Sequence, residues 1–155
     1  MNLFENLNTY KESDNKNRGN WNINKIDYMY SKNDIQKSIF KILNNNNELD
    51  EFDDKFTNKY TYKEQDTIYD NLEQLINAII CGDGIDDKQK IANNLIVKVD
   101  IDINSFIIMV PVIGKYKYET IYTSWKELLD GSYKNNNTNE IEYIINEIIK
   151  HERGE

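Results

Sequence analysis

Hydrophobic residues recur every three or four positions in two stretches of the first half of the chain, which is the spacing of one face of a helix. The first stretch covers residues 32–43. Ser31 precedes it and Asp34 lies in its first turn, and the two are spaced as in a helix-capping box. The second covers residues 64–81 and stops at Gly82, a residue type that commonly ends helices. The spacing therefore predicts two amphipathic helices whose apolar faces share a core.

The spacing of hydrophobic residues changes to two after the second helix. Residues 95–103 alternate between apolar and polar side chains, as in a strand that buries one face. Residues 106–113 are apolar on both faces and predict a central strand, in which Pro111 marks a bulge or a strand end. Gly114 then predicts a turn into a third strand of alternating tyrosines. Three consecutive strands with short connections predict an antiparallel meander over about 95–123.

Helical spacing returns after the predicted sheet. Ser124 is a suitable N-cap for a short helix over 124–130, which Gly131 ends. An asparagine-rich loop follows, and isoleucines three and four residues apart predict a last helix over 139–151. Helices before and after a three-stranded sheet predict an α+β fold, in which the helices pack on one face of the sheet.

The remaining segments have weaker patterns. Residues 1–20 form a polar arm, either docked as a short helix or frayed, and residues 21–30 alternate as in a short strand. Residues 49–63 predict an irregular acidic segment, and residues 86–93 predict a short helical turn that leads into the sheet. We expect the 155 residues to form a single domain, because this length buries one core and is too short for two.

Composition indicates where such a domain works. The chain contains one cysteine, Cys81, so no intramolecular disulfide can form, and a reducing compartment is the natural setting. No apolar run approaches the roughly 20 residues that cross a bilayer, and the first residues lack the pattern of a secretion signal. We therefore expect a cytoplasmic protein that does not enter membranes. The abundance of asparagine, isoleucine and lysine is typical of AT-rich genes, which favours a low-GC bacterium or a mobile element such as a phage.

Several kinds of active site lack their residues in this sequence. The single histidine, His151, lies near the end of a predicted helix, where a rigidly held catalytic base is not expected. One cysteine and one histidine also cannot supply the usual ligands of structural zinc. The loop 82–87 lacks the spacing and the final glutamate of a calcium-binding loop, and it is better explained as the end of one helix and the start of the next. We expect no cofactor and no enzymatic activity.

Asp100 and Asp102 are the one pair of residues with a catalytic alternative. A strand that carries Asp-x-Asp after the glycines Gly82 and Gly84 vaguely resembles nucleotidyltransferases, in which two such carboxylates bind Mg²⁺. The serine that follows the glycines in that family is missing here, and no third carboxylate is evident on a neighbouring strand. The alternation of the strand already explains both aspartates as its polar face. A metal-dependent phosphoryl or nucleotidyl transferase therefore stands as an alternative to a protein without a metal site.

Negative charge is concentrated in one part of the sequence. The net charge is -8, and residues 44–87 contain 12 acidic residues against 3 lysines. Such a surface repels nucleic-acid phosphates, so we expect no direct binding of nucleic acid. It suits a basic partner, because carboxylates speed association and aromatic residues supply contact energy. The residues predicted to bind this partner are Glu48, Asp50, Glu51, Phe52, Asp53, Asp54, Phe56, Tyr60, Tyr62, Asp66, Tyr69, Asp70, Asp83, Asp86 and Asp87.

A merely solvated acidic surface accounts for the same charge without any partner. Small size, the missing catalytic residues and the concentration of charge favour a function instead, and together they resemble the general character of toxin immunity proteins and phage anti-defence proteins. We expect a cytoplasmic inhibitor of a basic, nucleic-acid-handling protein such as a nuclease, toxin or defence effector, which acts by resembling nucleic-acid charge. A structural or assembly protein of a phage or mobile element is a third alternative.

Overall fold

The computed structural model describes residues 30–154, so the arm predicted over 1–20 and nearly all of the strand predicted over 21–30 lie outside the described residues. The described part of the chain contains six helices and a three-stranded antiparallel sheet, which confirms the predicted α+β class and the meander. The elements are α1 (Lys32–Asn45), α2 (Leu49–Lys59), α3 (Tyr62–Ile80), α4 (Lys88–Asn94), β1 (Ile96–Asp100), β2 (Ser105–Val112), β3 (Lys117–Ser124), α5 (Trp125–Asp130) and α6 (Tyr133–Glu152).

Strand β2 is the centre of the sheet and pairs antiparallel with both neighbours. Its residues Phe106, Ile108 and Val110 belong to the core that the helices cover. Pro111 lies one residue before the end of β2, and the register between β2 and β3 continues through it without a bulge. Strand β1 pairs with β2 only as far as Met109, so β3 is the one described neighbour of the proline. A residue without an N–H group is tolerated at such an edge position.

Side chains fix the starts of the predicted helices. The predictions over 32–43, 64–81 and 124–130 are confirmed within two residues at each end. In each of these helices the N-cap side chain and the third helical residue exchange hydrogen bonds with each other's backbone, which satisfies N–H groups that lack partners inside the helix. The capping pairs are Ser31 with Asp34, Thr61 with Glu64, and Ser124 with Glu127.

Two segments that the sequence predicts to be irregular are helical. Residues 49–59 form α2, although Glu48 provides no side-chain cap. The asparagine-rich segment before residue 139 belongs to α6, in which Asn137 is buried and its amide donates to the carbonyl of Tyr133 at 3.0 Å. Both corrections have one physical cause. Packing against the core stabilises these turns although their residues have modest helix propensity.

An aromatic cluster joins α2 to the sheet. Phe52 and Phe56 are one helical turn apart and both lie against Trp125, the first residue of α5, with ring centroids 5.5 and 5.3 Å from its ring. Phe56 also contacts Tyr69 of α3 at 5.6 Å, and Trp125 contacts Phe106 of β2 at 6.2 Å. Aromatic pairs at these distances add to the free energy gained by burying their surface. The cluster therefore explains why the segment predicted to be irregular forms a helix.

Replacing Phe56 by alanine tests the structural role of this cluster. The Phe56 side chain is 2% exposed, so Phe56→Ala should lower the free energy of unfolding by about 3–5 kcal/mol through lost burial and the cavity that remains. The matched variant is Tyr62→Ala, because Tyr62 is 81% exposed and should change stability by less than about 0.5 kcal/mol. Urea unfolding measures both values. Equal effects of the two substitutions would contradict the packing described.

Candidate functional site

Exposed carboxylates cover the start of α2 on the side away from the aromatic cluster. We define the acidic helix face as these five exposed residues, Glu48, Asp50, Glu51, Asp53 and Asp54. Among the described residues, Glu51 alone of the five forms an ion pair, with Lys55 one turn later at 3.2 Å. Negative side chains at a helix N-terminus also interact favourably with the helix dipole. The acidic helix face thus stabilises α2 and presents unpaired negative charge to solvent.

The aromatic residues predicted to anchor a partner are mostly in the core. Phe52, Phe56, Tyr60 and Tyr69 are at most 7% exposed, so their side chains are not available at the surface. Burial, and secondarily the nearby carboxylate of Asp53, raises the pKa of the Tyr69 hydroxyl. These four residues pack in the core beneath the acidic helix face. Their burial corrects the expectation that they contact a partner. Tyr62 is the one predicted anchor that is exposed.

The acidic segment 48–87 does not form one continuous surface. Asp66 and Asp70 both lie beside Lys32, with Nζ to Oδ1 distances of 3.6 and 3.3 Å. Asp83, Asp86 and Asp87 follow the end of α3, where the Tyr30 N–H donates to Asn77 beside the start of α1. The acidic helix face follows the opposite end of α1, a helix of 14 residues and hence about 21 Å long. The predicted set therefore separates into the acidic helix face, a pair partly neutralised by Lys32, and a distant loop.

The loop that contains Asp86 is fastened to the last turn of α6. The backbone N–H groups of Asp86 and Asp87 donate to the two carboxylate oxygens of Glu152 at 3.1 and 2.9 Å. The side chains of Asp83, Asp86 and Asp87 remain exposed. This loop provides a useful comparison with the acidic helix face, because it carries similar charge at a different place.

A small cleft adjoins the acidic helix face and brings in residues distant in sequence. We call it the acidic cleft; its volume is about 220 Å³, and it lies between the end of α1 and the β1–β2 turn. Glu48, Asp100 and Asp102 line it together with one lysine, Lys98. Apolar residues complete its wall, and they are Ile42, Leu43, Val99, Ile101 and Ile107. The fold thus brings the carboxylates of Asp100 and Asp102 next to the acidic helix face. They lie about fifty residues from Glu48 in the sequence, and no sequence pattern indicates this proximity.

Asp100 and Asp102 do not share one face of a strand. Strand β1 ends at Asp100, which corrects the prediction of a strand through residue 103. The Asp100 carboxylate accepts hydrogen bonds from the backbone N–H groups of Asp102 and Ile103, at 3.1 and 3.3 Å. Asp100 therefore caps the turn into β2, a role that aspartate commonly has. No group of three His, Cys, Asp or Glu side chains within residues 30–154 is arranged to hold a metal ion.

Glu73 is a buried acid beside the ion pairs of Lys32. Its side chain lies on α3 and is 7% exposed. Burial, and secondarily the negative charge of Asp70, raises the pKa of Glu73 to about 7. The positive charge of Lys32 acts in the opposite direction and is the smaller effect. Asp66 and Asp70 in turn raise the pKa of Lys32, although its burial acts against them.

The raised pKa of Glu73 predicts a pH-dependent stability. The folded state binds a proton more tightly than the unfolded state, so the free energy of unfolding should fall as pH rises from about 4.5 to about 7. Glu73→Gln removes this titration and should be more stable than the natural chain at pH 8, by at most about 3 kcal/mol. Chemical unfolding at several pH values measures the difference. If the difference in stability between the natural chain and Glu73→Gln were the same at pH 5 and at pH 8, the raised pKa of Glu73 would be contradicted.

Comparisons of the chain with protein-family models, with curated proteins and with solved structures found no match. Within residues 30–154, no helix combines the length and the apolar character needed to cross a membrane. The candidate site consists of the acidic helix face and the acidic cleft.

Proposed function

We propose that this protein is a binding protein that inhibits a basic, nucleic-acid-handling partner through the acidic helix face and the acidic cleft. The observation that carries the proposal is the continuity of the two. Four exposed carboxylates on α2 and that of Glu48 just before it adjoin a cleft whose wall includes Glu48, Asp100 and Asp102. Together they present seven acidic residues from two distant parts of the chain on adjoining surfaces, with Lys55 and Lys98 as the nearby basic residues.

The chemistry of the acidic cleft fits one long basic side chain. Its volume of about 220 Å³ is below the range of ordinary small-molecule sites, which begins at about 300 Å³. The surface that the cleft presents is mainly polar, and its carboxylates suit the charged end of an arginine or lysine. A partner side chain that enters the cleft would be held at its edge by the acidic helix face. The partner's side chain in the cleft would be the buried anchor of the interface, a role that the aromatic residues in the core cannot have.

The packing of α2 against the aromatic cluster also supports the proposal. A partner that recognises a pattern of charges gains affinity when that pattern is already fixed, since less conformational entropy is lost on binding. The aromatic cluster holds α2 in place under its carboxylates. Proteins that bind nucleic acids carry clefts rich in lysine and arginine, and a fixed row of carboxylates can occupy such a cleft by electrostatic complementarity. Toxin immunity and phage anti-defence are the two settings that we propose, both in the cytoplasm.

A metal-dependent transferase is the weaker proposal. It needs further ligands beside Asp100 and Asp102, whereas no group of three His, Cys, Asp or Glu side chains in the described part of the chain is arranged to hold a metal ion. We therefore propose a protein that acts by binding rather than by catalysis.

Charge reversal on α2 tests the proposed site. Asp50 and Asp54 are exposed and one helical turn apart, so they lie on the same side of α2. The double variant Asp50→Lys and Asp54→Lys should lose capture of the partner from native host lysate, and should slow association with the isolated partner about tenfold at low salt. Surface plasmon resonance measures the association rate, and a nuclease assay of the captured protein measures inhibition.

The matched control changes the same amount of charge at the distant loop. Asp83→Lys with Asp86→Lys should leave capture, association rate and inhibition close to those of the natural chain, because this loop lies beyond the far end of α3. Circular dichroism should show both variants folded. Equal losses in the two variants would mean that net charge alone matters, and a captured partner that remains fully active would refute inhibition.

A further inference from the structure

A second and larger cavity lies between α4 and the turn that joins β2 to β3. Its volume is about 540 Å³, within the range of about 300–1,000 Å³ that is usual for small-molecule sites. We call it the tyrosine groove, because Tyr116 and Tyr118 line it. Pro111, Val112 and Ile113 give it an apolar wall. None of the residues named for the acidic helix face or the acidic cleft belongs to it.

The ionisable groups of the tyrosine groove are unusual for this chain. Lys90 and Lys117 line the groove, and no aspartate or glutamate is among the described residues of its wall, although the chain as a whole has a net charge of -8. Lys117 is partly committed, since its Nζ lies 3.3 Å from Glu147 and 3.5 Å from Glu119. The wall of the groove thus differs from the acidic helix face, because its described charged side chains are lysines.

Lys90 is the cation in the groove with its charge available. It lies exposed on α4, and none of the ion pairs among the described residues involves it. An exposed ammonium group attracts an anion through a Coulomb interaction that salt screens, so the attraction is strongest at low ionic strength. The groove thus combines an apolar wall with a single uncommitted positive charge at its α4 side.

Tyr116 occupies a backbone conformation that tyrosine rarely adopts. Its φ is 53°, in the left-handed region, and its side chain is fully exposed. The turn is closed by a hydrogen bond from the Lys115 N–H to the Val112 carbonyl at 3.0 Å. Glycine or asparagine would fit this position with less strain. A strained and exposed aromatic residue at the mouth of a cavity indicates a role for its ring, because packing gains nothing from it.

Tyr118 connects the two sides of the groove. Its hydroxyl donates to the carbonyl of Asn94, at the end of α4, at a distance of 3.4 Å, and its ring is 41% exposed. This long contact joins the partly exposed ring of Tyr118 to the end of α4. Aromatic surfaces of this kind contact planar ligands such as nucleic-acid bases at small conformational cost.

We propose that the tyrosine groove binds a planar, negatively charged small molecule of about nucleotide size. The ring of the ligand would contact Tyr116 and Tyr118, and its phosphate or carboxylate would pair with Lys90. The ligand is a small molecule rather than a nucleic-acid strand, because a polyanion would have to pass the acidic surfaces of a chain with a net charge of -8. This site is independent of the proposed inhibition and stands or falls separately.

Titration of the full chain with AMP, GMP and folate, followed by two-dimensional NMR, tests the site. At least one of these planar anions should shift the amide signals of Lys90 and of residues 113–118. Adenosine has the same ring as AMP without the phosphate, and should bind about tenfold more weakly if AMP is the ligand that binds. Absence of shifts in this region for all three anions would overturn the proposal.

Charge and ring variants separate the groove from general effects. Lys90→Glu should weaken binding of the best anion by about tenfold, whereas Lys41→Glu, an equal charge change at an exposed position on α1, should leave it unchanged. Tyr118→Ala should also weaken it about tenfold, and Tyr62→Ala should not. Equal effects of Lys90→Glu and Lys41→Glu would overturn the assigned site.

Tyr116→Gly distinguishes a binding role from a structural one. Glycine adopts positive φ without strain, so this variant should keep or raise the thermal midpoint of the chain while its affinity for the anion falls about tenfold. A lower midpoint with unchanged affinity would show that Tyr116 is structural and would overturn its assignment. Tighter binding of a single-stranded oligonucleotide than of any of the small anions would identify an extended nucleic-acid surface and would likewise overturn the proposal.

Discussion

The packing of Trp125 against the phenylalanines of α2 is the interaction on which the rest of the arrangement depends. Trp125 directly follows β3, so its position is fixed by the sheet. Phe52 and Phe56 lie against it, and Phe106 of the central strand completes the contact from the sheet side. A helix of 11 residues without a side-chain cap is marginal by itself. Its burial against Trp125 makes it a stable support for the acidic helix face.

The same packing decides which residues of α2 can have a function. A helix that buries two phenylalanines on one side directs most of its other residues to solvent, and in α2 six of the other nine residues are acidic or lysine. The carboxylates are therefore held in a fixed pattern, with the start of α2 next to the end of α1 and the β1–β2 turn. Electrostatic recognition profits from such fixed charges. In the proposed recognition, the buried aromatic residues act through this support and not through direct contact.

Charge is unevenly distributed over the folded chain, and this is the basis of both proposed sites. The acidic helix face and the acidic cleft combine carboxylates from α2 and from the β1–β2 turn, whereas the tyrosine groove is lined by lysines and tyrosines from α4 and the β2–β3 turn. The two sites would attract ligands of opposite charge. Their walls come from different ends of the meander, so each can be altered without the other.

Much of the fold followed from the sequence because local rules agreed with each other. The Ser31–Asp34 pair and helical spacing marked α1, helical spacing marked α3, and Ser124 with Gly131 marked α5. The change of period to two marked the meander. The sequence failed at α2 and at the start of α6, where acidic and asparagine-rich residues have weak helix propensity. In both places long-range burial outweighed local preference, and burial by distant residues such as Trp125 is invisible to a local pattern.

The sequence by itself determined the composition of the candidate site: a segment of concentrated carboxylates in a chain without an obvious catalytic set. The tertiary structure decided which of those residues are together. It placed Phe52, Phe56, Tyr60 and Tyr69 in the core, separated Asp83, Asp86 and Asp87 from α2, and joined Asp100 and Asp102 to Glu48 across the acidic cleft. The physical reason is that charge is a property of each residue, whereas exposure and proximity depend on how the entire core packs.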